Sequence, residues 1–329
     1  MRKGASAGAP APRRLLTLAV VVALGAVGVM AQQNRDNVVV RSLHVQGNIW
    51  MLVGAGGNVT LSVGKDGVLV VDTQFADMSN RLIAEIRKIA GEKPIRNIVN
   101  THSHGDHVGG NQAIAEAGAQ IVAGNFLAEI NLRTRGAAGN RAFIFAHENT
   151  LRRFEKPLQG ESPAFEAWPT DAFFGKQKDM YFNGEPVVLL HQPNAHTDGD
   201  VFVHFRGSDV VATGDAYVNS AFPFIDVASG GSIQGYLAAL NNLLDIMVPL
   251  DNQEGGTWAI PGHGRLADEA DVVEFRDMVT MVRDRVQALI KQGMTEDQVV
   301  AARPARDFEG PYGNPETFVR RTYAGLVGK

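Results

Sequence analysis

Short apolar runs, separated by polar or glycine-rich turns, fill residues 38–73 and predict consecutive β-strands. From 80 to 89 the apolar residues recur every three to four positions instead, which predicts a helix that Gly91 ends. A further strand is predicted after it. This β-α-β alternation indicates helices packed on a mixed sheet, and therefore an α/β fold. The predicted strands are 38–40, 43–45, 50–53, 59–63, 67–72 and 95–99.

The same patterns continue to the end of the chain. A helix is predicted over 107–117, and two long helices over 233–247 and 268–291, the last with Asp268 as its N-cap. The short apolar runs predict strands at 120–123, 187–191, 201–205 and 257–260, and a mostly apolar run at 209–213 leads into Gly214-Asp215.

Two segments are predicted from composition more than from periodicity. Residues 125–180 mix aromatic residues with proline and glycine, and we interpret them as an insertion that shapes one wall of a pocket. Residues 295–329 contain several short amphipathic stretches. We interpret them as a helical C-terminal cap on the preceding domain.

The N-terminal segment has the layout of an export signal. Four basic residues precede an apolar stretch over 15–29, which is short for a membrane span. Val29-Met30-Ala31 fits a small-residue cleavage site, so we predict a signal peptide over 1–31 and a mature start at Gln32. The alternative is an uncleaved anchor. Arg13-Arg14 leaves open whether export follows the general or the twin-arginine route.

Composition narrows the function classes for the predicted mature protein, residues 32–329. Loss of four basic residues leaves 27 Lys and Arg against 35 Asp and Glu, a net charge of −8. An acidic chain without a basic stripe argues against nucleic-acid binding. The chain has no cysteine, so neither disulfides nor thiolate ligands are available. About 300 residues can bury the core of one large domain. We expect it to be periplasmic or secreted, without stable membrane contact after cleavage.

The densest chemistry lies directly after the strand predicted at 95–99. His102, His104, Asp106 and His107 place three imidazoles and a carboxylate within six positions, in a chain with nine histidines. Such groups repel or compete when charged, and a bound cation removes that conflict. The alternative is a polar loop with scattered histidines. We therefore predict a metal site here.

The His-x-His-x-Asp-His run resembles the signature of the metallo-β-lactamase superfamily. Three further motifs of that family follow in order, around His196 (195–200), Asp215 (213–215) and His263 (261–264). The resemblance implies a four-layer αββα sandwich. It also implies that an aspartate at the Asp72 position supports the metal loop, although this residue can equally be an ordinary strand-end aspartate.

The resemblance further implies a ligand set and a cofactor. One metal would be held by His102, His104 and His196, and a second by Asp106, His107 and His263, with Asp215 bridging the two. Nitrogen and carboxylate ligands favour two zinc ions, and iron or manganese also fits. In such a centre a hydroxide between the metals attacks the substrate, while Asp106 orients it and passes a proton to the leaving group.

The substrate is less determined than the chemistry. We predict hydrolysis of a small-molecule cyclic amide or ester, such as a β-lactam or a lactone. The absence of cysteine excludes the lactamase subclass with a cysteine ligand, and Asp215 is typical of glyoxalase II-like thioesterases and lactonases. A thioesterase or general esterase therefore stays open. The ligand residues also distinguish hydrolysis from two other function classes. A di-iron redox protein of this fold would carry a glutamate where this chain has His104, which argues against that class. A non-catalytic binding protein would have lost some of the ligands, whereas this chain keeps all seven.

Four side chains are candidates for the substrate pocket: Trp50, Tyr217, Phe222 and His147. The alternative for Tyr217 is a packed core residue, and the favoured interpretation of His147 is a hydrogen-bonded structural histidine. Trp50 precedes the glycine-rich turn 54–58, which is either a plain hairpin connection or a mobile flap over the site. The sequence 222–224 is apolar, and no Arg or Lys cluster for a phosphate is evident. Nothing in the sequence specifies the oligomeric state.

Overall fold

In a computed structural model of the chain, residues 41–173 provide the strands of the first of two sheets. The structure describes residues 1, 35–119, 141–158, 160–251 and 255–328. The predicted signal peptide and the strand predicted at 120–123 therefore lie outside the described residues, apart from Met1. The first sheet has seven strands in chain order: β1 (Arg41–Gln46), β2 (Ile49–Val53), β3 (Val59–Gly64), β4 (Gly67–Val71), β5 (Ile95–Val99), β6 (Phe143–His147) and β7 (Asp171–Phe173).

The pairing in this sheet changes at β4. Strands β1 to β4 are antiparallel and joined by short turns, whereas β4 to β7 are parallel. Parallel neighbours need a crossover, and α1 (Ser79–Ala90) supplies it between β4 and β5. The carboxyl ends of β4, β5 and β6 therefore meet at one edge of the sheet.

The second sheet has five strands in the order β12-β11-β10-β9-β8. Its pairs are antiparallel except for β11 and β12, which run parallel. The helix Ile233–Ile246, named α5, crosses between those two strands. The strands are β8 (Gln177–Phe182), β9 (Glu185–Gln192), β10 (Asp200–Phe205), β11 (Val210–Gly214) and β12 (Trp258–Pro261).

Helices flank both sheets. Those after the first sheet's strands are α1, α2 (Gly105–Val108), α3 (Asn111–Glu116) and α4 (Glu148–Glu155). Those that follow the second sheet's strands are α5 (Ile233–Ile246), α6 (Glu269–Lys291), α7 (Glu296–Ala301), α8 (Glu309–Tyr312) and α9 (Glu316–Val327).

Three apolar cores separate these layers. Alternation along β2 shows how they arise: Ile49 and Met51 face the second sheet, whereas Leu52 packs with Leu82 and Ile86 of α1. A third core joins the other face of the second sheet to α5, α6 and α9. The order helix, sheet, sheet, helix confirms the predicted αββα sandwich.

Most of the elements predicted within the described residues are present, and two of them need correction. Residues 38–40 are not a strand, because the carbonyl of Val38 accepts a hydrogen bond from Arg81 rather than from a neighbouring strand. The helix predicted over 107–117 is broken into α2 and α3 at Gly109-Gly110. A Cβ on Gly110 would lie 2.4 Å from the carbonyl oxygen of Thr73, so this close approach requires glycine.

The described parts of the segments 125–180 and 295–329, which are residues 141–158, 160–180 and 295–328, contribute to the layers themselves. Part of the range interpreted as a pocket insertion forms β6 and β7, which are paired strands of the first sheet. In the C-terminal segment, Val299, Phe318 and Val319 are buried in the core shared with α5 and α6. None of the described helices combines the length and apolarity needed to cross a membrane.

The N-cap of α6 gives a test of the fold's local chemistry. Asp268 accepts a hydrogen bond from the backbone N–H of Asp271, whose side chain accepts from Asp268 N in return. Replacing Asp268 by Ala leaves the Asp271 N–H without its acceptor, so we expect a loss of about 1 kcal/mol in the free energy of unfolding. Urea denaturation measures it. The control Asp277→Ala, on the same helix, should change stability by less than about 0.5 kcal/mol; equal losses would refute the cap's role.

Candidate metal centre

Five of the seven predicted ligands lie on loops that follow the carboxyl ends of strands, and Asp106 and His107 lie in the short helix α2 directly after His104. His102 and His104 follow β5, and His196 lies between β9 and β10. Asp215 follows β11, and His263 follows β12. Packing the two sheets face to face brings these ends to one edge of the sandwich. Rigid strands thus position loops that are far apart in sequence.

The ligand atoms form two groups. The potential ligand atoms of His102, His104, His196 and Asp215 all lie within 4.8 Å of one another, and so do those of Asp106, His107 and His263. His196 Nε2 is 2.9 Å from His104 Nδ1 in the first group. In the second, His107 Nε2 is 3.3 Å from His263 Nε2. The structure therefore brings together all seven residues that the sequence pointed to.

Asp215 lies between the two groups. Its Oδ1 is 3.2 Å from His107 Nε2, and its Oδ2 is 3.7 Å from His196 Nε2. Each carboxylate oxygen thus faces a different group. This is the position from which one side chain can ligate two metal ions at once.

Hydrogen bonds fix which nitrogen of each ring faces the centre. His107 Nδ1 is 2.7 Å from Asp72 Oδ2, and His196 Nδ1 is 2.5 Å from the carbonyl oxygen of Phe224. Because these partners accept, each Nδ1 must carry the proton, and each Nε2 turns a lone pair towards the centre. His104 is reversed: Nε2 donates to Asp226 at 3.1 Å, so Nδ1 faces His196.

Asp72 joins two elements of the metal loop. Its carboxylate accepts from the backbone N–H of Thr101 at 2.8 Å and from the Thr101 hydroxyl at 2.7 Å, besides its contact with His107. The hydroxyl oxygen in turn lies 3.0 Å from His102 Nδ1. Asp72 has a φ of +62°, a left-handed conformation that few non-glycine residues adopt. It therefore supports the metal loop from the outside, as the resemblance implied.

Burial and charge set the protonation of the ligands. Burial lowers the pKa of His102 well below its ordinary value and that of His196 to about 4, so both rings are neutral at pH 7. Burial alone would raise the pKa of Asp215, but His107 and His196 outweigh it and hold the carboxylate ionised. Burial opposes a charge on His107 too, yet Asp215 and Asp72 raise its pKa.

The donor set fits metal ions. His102 Nε2 and Asp215 Oδ1 are buried, and neither has a hydrogen-bond partner within the described part of the chain. Orphaned buried polar atoms are costly, so two of them aimed at one centre call for a ligand that the protein itself does not supply. Five imidazoles and two carboxylates without sulfur suit zinc, and also iron or manganese.

The glycine-rich hairpin 54–58 covers the second ligand group. The N–H of Gly57 donates to the carbonyl of Asp106 at 3.0 Å, and the N–H of Asn58 donates to the carbonyl of Gly262 at 2.7 Å. A Cβ on Gly57 would lie 2.2 Å from Cε1 of His107, so only glycine allows this approach. The hairpin therefore lies over the second ligand group, and hydrogen bonds tie it to the segments that carry Asp106 and His263. Its position agrees with the flap interpretation, and the mobility of that flap stays a prediction.

Trp50 and Tyr217, two of the four predicted pocket residues, pack in the cores between the sheets and their helices and not beside the ligand groups. Trp50 points away from the second sheet and packs against the core that contains α1, because side chains alternate along β2. Tyr217 is fully buried in the other helix-facing core, with its ring edge-on to Phe275 at 5.3 Å. Its hydroxyl meets the Asn219 amide, 3.4 Å away, rather than the ligand groups.

Phe222 and His147 also have structural surroundings. Phe222 is buried and stacks on Phe318 of α9 at 5.7 Å. His147 is buried, stacks on His191 with ring centroids 3.6 Å apart, and caps α4 by accepting from Asn149 N. His147 therefore has the surroundings of a hydrogen-bonded structural histidine. Phe222 lies in a core, which apolar character alone does not distinguish from a pocket wall.

The open side of the centre carries residues that the sequence did not single out. A cavity of about 400 Å³ lies beside His104 and Asp226. Phe224, two positions after the buried Phe222, is 46 % exposed and lines it. Arg153 of α4 and Arg321 of α9 line it as well. Their basic character gave no signal in sequence, because the two residues are 168 positions apart.

Comparison with known proteins identifies the family. The model of the metallo-beta-lactamase superfamily matches residues 52–263, the span that carries all seven ligand residues. The chain belongs to this superfamily. The predicted recognition is therefore confirmed.

Among named relatives, a linear primary-alkylsulfatase from Pseudomonas sp. (strain ATCC 19151) is 25% identical over 296 residues, covering 80% of this chain and 54% of its own. The 2,4-dinitroanisole O-demethylase subunit alpha from Nocardioides sp. (strain JS1661) is 23% identical over 180 residues, 53% of this chain and 47% of its own. The chain thus spans about half the length of the curated relatives it matches.

Solved structures show the same fold. The inverting sec-alkylsulfatase Pisa1 from Pseudomonas sp. matches with a TM-score of 0.62 at 16% identity, over 88% of this chain and 50% of the other. The DIM-1 metallo-beta-lactamase matches with a TM-score of 0.52 at 17% identity, over 74% of this chain and 98% of the other. At such identities the likeness establishes the fold alone.

Asp215 gives a direct test of the centre. Asp215→Asn keeps the shape but removes the charge that faces both ligand groups, so we expect the affinity for the more weakly held metal to fall at least about tenfold. Metal content after dialysis, measured by atomic emission, reports this. The control Asp245→Asn changes an exposed aspartate on α5 and should leave metal content unchanged. Unchanged metal affinity in Asp215→Asn would rule out a bridging role.

Proposed function

We propose that this protein is a zinc-dependent hydrolase that cleaves an ester of a small molecule, with linear alkyl sulfates as the leading substrate class. Two zinc ions are proposed, one in each ligand group. The observation that carries the proposal is the position of Asp215, with one carboxylate oxygen towards each group. Such a pair of sites suits hydrolysis, because metal ions there act as Lewis acids and activate water at neutral pH.

The protein's own residues supply positioning and proton transfer. Asp106 Oδ2 lies 3.1 Å from His263 Nε2, and a quarter of the Asp106 side chain is exposed. Burial opposes its ionisation, but His263 and His107 lower its pKa, so the carboxylate is ionised at neutral pH. It can therefore accept a proton from the attacking water at Oδ2 and return it to the leaving oxygen. The hairpin 54–58 limits access of bulk water from its side.

The substrate class rests on the relatives and on the cavity. The named alkylsulfatase aligns with most of this chain, and the second named relative, a demethylase, also acts at an oxygen substituent, as its name states. The cavity beside His104 combines apolar walls at Leu158 and Phe224 with basic groups. An apolar chain with a charged head matches those walls better than a compact neutral lactam does.

A cyclic amide or ester is the second candidate. The shared fold with the DIM-1 metallo-beta-lactamase favours it. Hydrolysis of a lactam, a lactone, a thioester or an aryl ester requires attack of water on an acyl carbon. In these compounds the acyl group is neutral, whereas an alkyl sulfate has an anionic sulfate group at the reacting bond.

A substrate panel separates these candidates. Zinc-loaded protein would be assayed with octyl sulfate, a chromogenic cephalosporin, a homoserine lactone, an acyl thioester and 4-nitrophenyl acetate, each with and without chelator. We expect chelator-sensitive turnover, with the highest kcat/KM for octyl sulfate. His104→Ala should lower that turnover by at least about a thousandfold, because it removes a metal ligand. Preference for the cephalosporin or lactone would replace the alkyl sulfate proposal, and no turnover by metal-loaded protein would overturn the hydrolase proposal.

We also propose that the protein is exported and cleaved before Gln32, to act in the periplasm or outside the cell. The basic and apolar pattern of the first 31 residues supports this. Expression of the full chain in a bacterial host, followed by fractionation and N-terminal sequencing, tests it. We expect Gln32 as the first residue of the exported form. Full-length protein confined to the cytoplasm would contradict the proposal.

A further inference from the structure

The cavity beside the first ligand group has an unusual distribution of charge. Its polar wall holds His104 and Asp226, which bond to each other, and two arginines lie on helices across from them. Asp226 also accepts from Ser229 N and faces His104, so its charge is engaged. Arg153 is engaged at one end, where Nη2 donates to Asp198 Oδ2 at 2.7 Å.

Arg321 differs from its neighbours on the same helix. Arg320 contacts the carboxylates of Glu296, Asp297 and Glu316. Arg321, the next residue, forms no ion pair with any carboxylate in the described ranges and is half-buried in the cavity wall. Its guanidinium lies over the ring of Phe224, whose centroid is 5.8 Å from Arg321 Cζ. A half-buried guanidinium without a carboxylate is free to bind an anion from outside the protein.

The ring of Phe224 connects Arg321 to the metal ligands. Its centroid is 6.4 Å from the ring of His104 and 6.0 Å from that of His196. One aromatic side chain therefore separates the guanidinium from two residues of the first ligand group. Phe224, Arg321 and His104 all line the cavity. A ligand bound there therefore lies next to both the guanidinium and the first ligand group.

Arg153 adds a second positive charge. Its Nε is buried and has no hydrogen-bond partner among the described residues, although Nη2 is bonded to Asp198. The Nε atom is closed off from the cavity, so Arg153 contributes through its positive charge, which Asp198 offsets only in part. Two guanidinium groups from helices α4 and α9 thus face one space.

We propose that Arg321, assisted by Arg153, binds the anionic group of the substrate and so determines specificity for anionic esters. The apolar residues Pro157, Leu158 and Phe224 then contact the chain attached to that group. This rests on the proposed function for the identity of the reaction. The binding itself depends on the cavity alone, so it can be measured without turnover.

The test uses octane-1-sulfonate, which has the head and chain of an alkyl sulfate but lacks the ester oxygen. Calorimetry on the zinc-loaded full chain measures its Kd for the protein and for three variants. We expect Arg321→Gln to weaken binding about 10- to 100-fold, as for loss of a charged hydrogen bond. Arg321→Lys should recover part of the loss, because it keeps the charge without the planar fork.

The matched control is Arg206→Gln. Arg206 is exposed and lies at the end of β10 opposite the His196 loop, so the same change of charge occurs far from the cavity. We expect its Kd to stay within about twofold of the unchanged protein, as for screened surface charges. Equal effects of Arg321→Gln and Arg206→Gln would overturn the assignment. Failure of octane-1-sulfonate to bind the unchanged protein would overturn it as well.

Two further readouts separate anion binding from a structural role. Arg321 packs on Phe224, whose carbonyl accepts from His196, so a structural defect would lower metal content. We expect the metal content of Arg321→Gln to be unchanged. A loss of metal would show that Arg321 acts through the metal centre instead. Methanesulfonate should bind more weakly than octane-1-sulfonate, by up to about fourfold per buried methylene; equal affinities would overturn the apolar part of the site.

These outcomes distinguish the inference from the proposed function. Arg321-dependent binding of the sulfonate without turnover of any ester would uphold the anion site and refute the hydrolase proposal. If octyl sulfate is hydrolysed with the same kcat/KM by the unchanged protein and by Arg321→Gln, the hydrolase proposal is upheld and the anion site is refuted.

Discussion

Five imidazoles and two carboxylates converge at one edge of the sandwich, and their charges cannot be satisfied by the protein alone. Asp215 lies at the middle of this conflict, ionised and buried between histidines from both ligand groups. Ion pairing stabilises part of the cluster, yet His102 Nε2 and one oxygen of Asp215 keep no partner in the described residues. Desolvated donors and acceptors of this kind destabilise a fold unless a cation completes them.

The geometry of the centre depends on hydrogen bonds from outside it. Asp72, the carbonyl of Phe224 and Asp226 each hold one ring nitrogen. Asp72 follows a strand of the first sheet, whereas Phe224 and Asp226 share one loop after the second sheet's β11. Because each partner accepts, each ring is left with its lone pair towards the centre. The four-layer packing therefore acts on the chemistry directly: a shift between the sheets would turn several imidazoles at once.

The two sides of the centre have different surroundings. The hairpin 54–58 closes one side with backbone hydrogen bonds and a glycine packed on His107. The other side opens into the cavity between α4, the loop that carries Phe224, and α9. The C-terminal helices thus cover the second sheet and also bring a guanidinium to the site, so stability and recognition share one element.

The sequence by itself determined the ligands and most of the secondary structure. Metal ligation needs particular residue types at short spacing, and apolar periodicity reflects which face of an element is buried, so both are written in local order. The pocket was decided by the tertiary structure. Trp50, Tyr217 and Phe222 are apolar residues near the motifs, and whether such a residue lines a cavity or a core depends on how layers pack. Arg153 and Arg321 line the same cavity only in the folded protein. Two residues so far apart in the sequence give no local pattern from which their proximity could be predicted.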